Sequence, residues 1–589
     1  MSQLPWPARV ADIKTGVLII GGGTAGCAAA RRLAELGERD ILVLEKASVK
    51  RSGCLSAGVN ALNAWVGPGA SPRDYADYAL NDAHGIGDAR LLLSMSEGLN
   101  GAVEFLASLG LKIHRDSKGA YLSRSWRNLK VNGENVKPLL AGAIRGFPGL
   151  KVRERVHVFA LTLSRGPDRR IAGALAMDLL SGDILKIRAP KVLLATGGAA
   201  GIYAPNAPGS MSHRLWYPPF NVGGGYAMGI RAGAEMTSLE MRFVALRCQD
   251  TQAPTGTLAL GGGARQLNAL GEDFAEKYGN TTSQRVLANR RERERGLGPI
   301  RLEAPEAGEG ERERALRAYF NMAPQQPLKW LEEERLALGR GERIPPLGAE
   351  VEGSEPFLVG GHASCGFYVD PRRETSLPGL YAAGDVAGGC PQKYVTGAIS
   401  EAFIAATAIA SSAAEGPEED GELAREYLEA ALSGGAPGAR PSWDRAELEE
   451  AAQRAMDLYA GGRGAGYRYS QKGLATALSR IAEIAGMAAS LKAVSPKELS
   501  LAWELRERLT VAQALVGHLR ERRETRWPGF GEYGDFPLED PGLALFVNSR
   551  RLAVGPEKDG KTGEFEFIFR DLESGERLPA PGTEGGAGR

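Results

Sequence analysis

Cysteine is scarce in this chain. Five residues, Cys27, Cys54, Cys248, Cys365 and Cys390, are spread over 589 positions with no CxxC pair among them. An odd count at wide spacing argues against a disulfide scaffold and offers no zinc or iron–sulfur motif. The compartment expected is the cytoplasm. Long apolar runs are missing as well. MSQLPWPARVADIKTG at the N-terminus has no apolar core behind a basic start, so no secretory signal is expected there. AFIAATAIASSAA, residues 402–414, is too short to cross a bilayer and reads as a buried helix. Neither sign of charge dominates: 72 Lys and Arg face 71 Asp and Glu, which leaves +1. That gives no global field for nucleic acid or an anionic membrane, although a local basic pocket stays open. No internal repeat is visible.

What is present is a globular composition, 43% hydrophobic and 24% charged, in a length that exceeds a single core. GVLIIGGGTAGCAAARRLAELGERDILVLEK reads as strand, glycine turn, amphipathic helix and strand. Gly21, Gly23 and Gly26 form GxGxxG directly after the strand. Glycine lets the backbone approach a pyrophosphate, and the helix N-terminus supplies aligned N–H groups. Glu45 ends the next strand, where a carboxylate takes ribose hydroxyls. This unit alone does not choose NAD over FAD. KVLLATGG (191–198) and GLYAAGD (379–385) are further strands that end in glycine. Residues 265–350 are rich in Arg, Glu and Pro and suggest an inserted domain, its charge runs mostly solvated helix faces. Residues 440–525 show helical periodicity, and SWDRAELEE opens with capping residues. The tail from 526 is rich in Pro and Gly with one strand-like run, GEFEFIFRDL, and its last residues, PAPGTEGGAGR, are expected to be disordered.

The spacing of these segments resembles the fumarate reductase and succinate dehydrogenase flavoprotein superfamily. The resemblance implies non-metal FAD chemistry on a two-dinucleotide-binding-type α/β fold. Its parts are an FAD domain (1–243 and 359–445), an inserted α+β capping domain (244–358), a helical domain (446–530) and a tail (531–589). It implies FAD contacts from Gly21, Gly23, Gly26, Glu45, Lys46, Ser52, Gly53, Gly58, Asn60, Ala195, Thr196, Gly197, Gly384, Asp385, Ser400 and Glu401. The loop EKASVKRSGCLSAGVNALN (45–63) would lie along the flavin. In the fumarate and succinate branch a His follows the RS pair and is joined to the flavin; here Arg51-Ser52 is followed by Gly53-Cys54. Non-covalent FAD is therefore expected, with Cys54 as a packing residue.

Several blocks are more specific. These are VNGENVKP (131–138), WYPPFNVGGGYAMGIRAGAEMTSLEMRFVALR (216–247), GLYAAGDVAGGCPQKYVTGAISEAFIAA (379–406) and TRWPGFGEY. Together with the loop they resemble the alpha subunits of dissimilatory adenylylsulfate reductases along nearly the whole chain. That family reduces adenylylsulfate to sulfite and AMP, or runs the reverse, through a sulfite adduct at flavin N5. The resemblance implies Arg247, Arg285 and His362 as catalytic residues. Asn63, Glu134, Trp216, Phe243 and Leu260 would contact substrate. Arg242 competes with Arg247 as the pocket arginine. The chain itself carries no cluster motif and no second dinucleotide unit. Electrons are expected from a ferredoxin-like beta subunit with [4Fe–4S] clusters, in a heterodimer, for which 440–550 and the tail are candidate docking surfaces. The runner-up reading is fumarate, succinate or L-aspartate chemistry, or a flavin electron-transfer subunit without this substrate. Against the former, Ala253-Pro254-Thr255-Gly256 lacks the His and the following acids of the fumarate site.

Overall fold

The computed structural model describes residues 9–59, 61–205, 215, 217–249, 251, 264–303, 312, 313, 316, 320, 325–344, 347–412, 416–433, 443–557 and 563–581. Its centre is a five-stranded parallel sheet in the order Leu380–Ala382, Lys191–Leu194, Val17–Ile20, Ile41–Glu45, Leu150–Glu154. The inner strands are apolar at almost every position because both faces are covered, as a parallel sheet requires. Val17, Ile19 and Val43 face helices Thr24–Glu35 and Tyr394–Ser411, whereas Leu18, Ile20, Leu42 and Leu44 face a second sheet layer. That layer is Val10–Lys14, Ile184–Arg188, Ile171–Asp178 and Val156–Leu163. In the central register Ile20 pairs with both Leu44 and Leu194. The carboxyl ends of three strands therefore stop at one level, and Gly21, Glu45 and Ala195 share one rim. This is where open α/β sheets place their ligands.

Helix Tyr394–Ser411 is long and apolar enough for a membrane span, but most of it is buried against the dinucleotide helix. Between residues 244 and 358, Leu246–Cys248, Gly348–Gly353, Arg301–Glu303 and Arg265–Leu267 form an antiparallel sheet. Helices Thr282–Glu294 and Gln325–Gly339 accompany it. The run RRERER in the first of these is more than a solvated face. Arg290 and Arg291 both reach Glu532 at 2.6 Å, and Glu292 is fully buried against Asn268 and Tyr278. Three helices follow, Arg445–Tyr459, Gln471–Ala489 and Pro496–Glu521. Asp444 caps the first by accepting from the N–H groups of Ala446 and Glu447.

The tail departs from expectation. Phe546–Arg551 pairs with Met236–Thr237 on one side and with Phe565–Arg570 on the other. The C-terminal hairpin thus completes a sheet that begins in the FAD-fold segment, and Asn548 and Ser549 are fully buried. The expected strand-like run GEFEFIFRDL is the second strand of this hairpin, and composition gave no sign of the distant partner at Met236–Thr237. The last residues, 582–589, lie outside the described residues.

Candidate functional site

The glycine turn is held by close backbone packing. Gly21 has φ +103°, and a Cβ on Gly26 would stand 1.9 Å from the Gly21 carbonyl oxygen. Glu45 accepts from the N–H of Gly22 and of Ala47, both at 2.8 Å, so both carboxylate oxygens are fixed at the rim. Lys137, fully buried, donates to the carbonyls of Gly22 and Val49. It ties the turn to the loop after Glu45. Its block, VNGENVKP, carries part of the resemblance, but nothing in the local pattern marks this lysine.

At the other end of the rim Asp385 follows strand Leu380–Ala382. The Tyr217 hydroxyl donates to its Oδ2 at 2.6 Å and accepts from Gly198 N–H at 3.0 Å. Burial pushes the Asp385 carboxyl above its ordinary range while Tyr217 pulls it back. Gly361 is required beside it, because a Cβ there would lie 1.9 Å from Asp385 Oδ1. This explains the GG before His362: the loop has to wrap the carboxylate. Tyr217 is a site residue that spacing alone did not reveal.

His362 follows Gly361 on this loop. Its ring lies 4.5 Å from that of Phe243 and 4.6 Å from that of Tyr394. Burial and the neighbouring Arg247 push the imidazole down to about 3, so it is neutral across the physiological range. Arg247 is 5% exposed, on strand Leu246–Cys248. Tyr394 is held at φ +51°, a conformation that non-glycine residues rarely adopt and that clusters at functional sites. Cys54 joins this group. Its side chain is open, yet burial, with Asp385 beside it and Arg247 opposing, pushes its thiol up to about 12. An accessible thiol so deeply surrounded lies on the wall of an interior cavity; it is not a packing residue.

Arg242 is not the pocket arginine. It is 1% exposed and donates to the Tyr203 hydroxyl and the carbonyls of Ala460, Gly461 and Phe530. It clamps the helical segments. Arg285 is half-buried, bonded to Thr282 Oγ1 at 3.3 Å, and stands near Tyr78, over whose ring Arg127 sits at 4.1 Å. Tyr394 in turn stands near Tyr78 and Arg127. Asn63 is 9% exposed and donates from Nδ2 to the Tyr75 hydroxyl. Glu134 is exposed, and its backbone packs on Gly58, where a Cβ would lie 2.7 Å from the Glu134 Cα.

Three side chains expected at the cofactor are engaged elsewhere. Lys46 donates to Glu504 Oε1 at 2.8 Å and to the Phe220 carbonyl at 2.7 Å, so its charge is spent on the long helix. Ser400 Oγ is bonded to the Met95 carbonyl. Glu401 is fully buried between Arg373 and Lys393 and accepts from Gly384 N–H. Glu401 thus holds the Asp385 loop from behind, while Ser400 ties its helix to Met95. Helical register put them near the site, but their side chains face the core. Asn60, Trp216 and Leu260, like the APTG block at 253–256, lie outside the described residues.

The remaining rim residues fit FAD. Ser52 Oγ and Thr196 Oγ1 are buried oxygens with no partner in the protein, the mark of groups awaiting a polar ligand. Gly53 and Gly58, at φ +71° and +87°, carry the intervening loop past them. Gly197 and Gly384 also sit at positive φ at the ends of the strands.

The fold and the site therefore define a flavoprotein of the dinucleotide-rim type, and the profile of the FAD binding domain family matches residues 16–400: the chain belongs to that family. The particular likenesses are narrower. The adenylylsulfate reductase subunit alpha of Megalodesulfovibrio gigas is 26% identical, over 92% of this chain and 94% of that one. The structure of adenylylsulfate reductase from Archaeoglobus fulgidus superposes with a TM-score of 0.88 at 28% identity, over 96% of this chain and 97% of the other. A structure of adenosine-5-phosphosulfate reductase with sulfite as a covalent adduct gives 0.87 at 28% identity, with the same coverage of both chains.

Proposed function

We propose that this chain is the flavin-bearing subunit of a cytoplasmic adenylylsulfate reductase. It would convert adenylylsulfate to sulfite and AMP, or run the reverse, and exchange electrons with a ferredoxin-like iron–sulfur partner. The observation that carries this reading is the grouping of buried Arg247 with neutral His362 and Phe243, with Arg247 and Asp385 both beside Cys54. The full-length likeness to adenylylsulfate reductases supports it.

FAD would be held by the Gly21–Gly26 turn, Glu45, Ser52, Thr196 and Asp385, and when bound it supplies the two-electron chemistry. The chain's own residues account for the rest. Adenylylsulfate presents a sulfonate joined to a phosphate, and AMP leaves as an anion already stable at neutral pH. No strong general acid is needed, which suits a histidine that stays neutral. His362 offers one N–H and one lone pair, enough to orient an oxygen without adding charge. Arg247 supplies the positive charge that sulfonate and phosphate oxygens require, at a site where burial strengthens it. Phe243 offers an apolar ring face to the nucleotide. Arg285, near Tyr78, would meet the other end of the substrate.

The test is sulfite oxidation by the purified full-length flavoprotein with its partner, using an artificial one-electron acceptor. Succinate, fumarate and L-aspartate serve as controls. The expected result is AMP-dependent turnover of sulfite, lowered about 100-fold or more by Arg247→Gln. Turnover of a dicarboxylate without any AMP-dependent sulfite reaction would overturn the reading in favour of the fumarate or aspartate branch.

A further inference from the structure

A second cavity lies away from the dinucleotide rim. It is enclosed by helices Gly421–Leu432, Gln471–Ala489 and Pro496–Glu521 and by Pro556 and Glu557. Its volume is about 320 Å³, within the range of pockets that hold small organic ligands. Trp503, Arg506, Glu507 and Thr510 line it from one face of the long helix, at helical spacing.

Two guanidiniums and two carboxylates line this wall, and they are not engaged alike. Arg231 is already engaged, with Nε on both oxygens of Glu557 at 2.8 and 2.9 Å and Nη2 on Thr510 Oγ1 at 3.1 Å. Glu507 is turned aside: Oε1 lies 3.2 Å from His157 Nε2, and Oε2 lies 3.0 Å from where a Gly224 Cβ would stand. Arg506 is different. Its hydrogen bonds go to the carbonyls of Ala488 and Ala489, at 3.1 and 3.2 Å, and to no carboxylate among the described residues. Burial and the neighbouring Arg231 push its pKa down to about 10, against the smaller opposing pull of Glu557. Trp503 spends its indole N–H on the Ala431 carbonyl at 3.0 Å, which leaves the ring as an apolar wall.

We propose that this cavity is an accessory binding site for a small carboxylate with a flat apolar body, the carboxylate on Arg506 and the body against Trp503. Planar guanidinium and planar carboxylate match as a two-pronged pair, and the aromatic wall favours a ring over a bare inorganic anion. The site shares no residue with the wall of Arg247 and His362, so it stands or falls apart from the proposed reaction.

Benzoate is the probe, with benzamide as its neutral counterpart of the same shape, in calorimetric titration of the full-length flavin-loaded protein. Benzoate is expected to bind at least about tenfold more tightly than benzamide, and Arg506→Gln to remove that preference. Ala489→Trp changes an exposed residue of the lining, leaves the core untouched, and should block benzoate by bulk. Equal binding of the two probes, unchanged benzoate affinity in either variant, or no benzoate binding at millimolar concentration overturns the proposal.

Discussion

Two glycines of one motif should fail in different ways. A Cβ added at Gly26 would stand 1.9 Å from the Gly21 carbonyl oxygen. A carbon–oxygen contact needs about 3.3 Å, so the helix and the turn must part by about 1.4 Å. Neither side yields easily. The obstacle is backbone at the end of the central strand, and the helix it would push is buried through Ala28, Ala29 and Ala30. Overpacking of this kind costs about 1–3 kcal/mol or more, and about 3 kcal/mol is over a hundredfold in affinity. At Gly23 the nearest atom to an added Cβ is the Ala195 carbonyl oxygen, at 3.9 Å, and φ is −73°. Alanine fits there in the flavin-free chain, but its methyl would occupy the face presented to the pyrophosphate. Gly23→Ala should therefore leave the stability of flavin-stripped protein within about 0.5 kcal/mol of wild type and weaken FAD binding. Gly26→Ala should lower both. Urea unfolding of stripped protein and FAD titration by fluorescence quenching separate the two. Equal apo-protein destabilisation in both variants, or wild-type unfolding of Gly26→Ala, would refute the reasoning.

His362 is a base whose folded pKa, about 3, lies below its ordinary 6.5. It therefore contributes full stability above pH 6.5, and that contribution declines as pH falls toward 3, because only the unfolded chain takes the proton. Imidazole NMR should show no His362 titration between about pH 5 and 8, where an unperturbed histidine titrates; a midpoint near 6.5 would contradict this. Lys46→Met should cost about 1–3 kcal/mol in unfolding experiments by stranding Glu504, whose carboxyl Lys46 holds down against burial. It should leave FAD affinity unchanged, and a large loss of flavin would restore Lys46 as a cofactor ligand. Cys54 should be the cysteine that iodoacetamide reaches in stripped protein, because the other four are buried. Its alkylation should be slow until strongly alkaline pH, since the thiolate is scarce, and blocked by bound FAD. Peptide mapping that finds equal labelling with and without flavin would remove Cys54 from the cavity wall.

Local pattern was enough for the dinucleotide unit. Strand, glycine turn, helix and acid are contiguous, and their chemistry depends on backbone geometry that a short segment carries by itself, so Gly21, Gly26 and Glu45 could be named from residues alone. Asp385 and His362 were expected from the resemblance of their blocks, and the structure packs Gly361 against the Asp385 carboxylate. The side chains engaged elsewhere depend on partners that their own segments do not show. Lys46 looks like a phosphate ligand until Glu504 arrives 458 positions later. Glu401 looks like a rim acid until Arg373 and Lys393 enclose it. The order of elements, the rim and the pyrophosphate turn were thus determined by the sequence, because they follow from hydrophobic period and glycine placement over short stretches. Which of two nearby arginines faces the cavity, that Cys54 lines it, and that the C-terminal hairpin closes a sheet begun at Met236 were decided only by tertiary packing. A charge, thiol or strand edge has no fixed role until the fold supplies, or withholds, its partner.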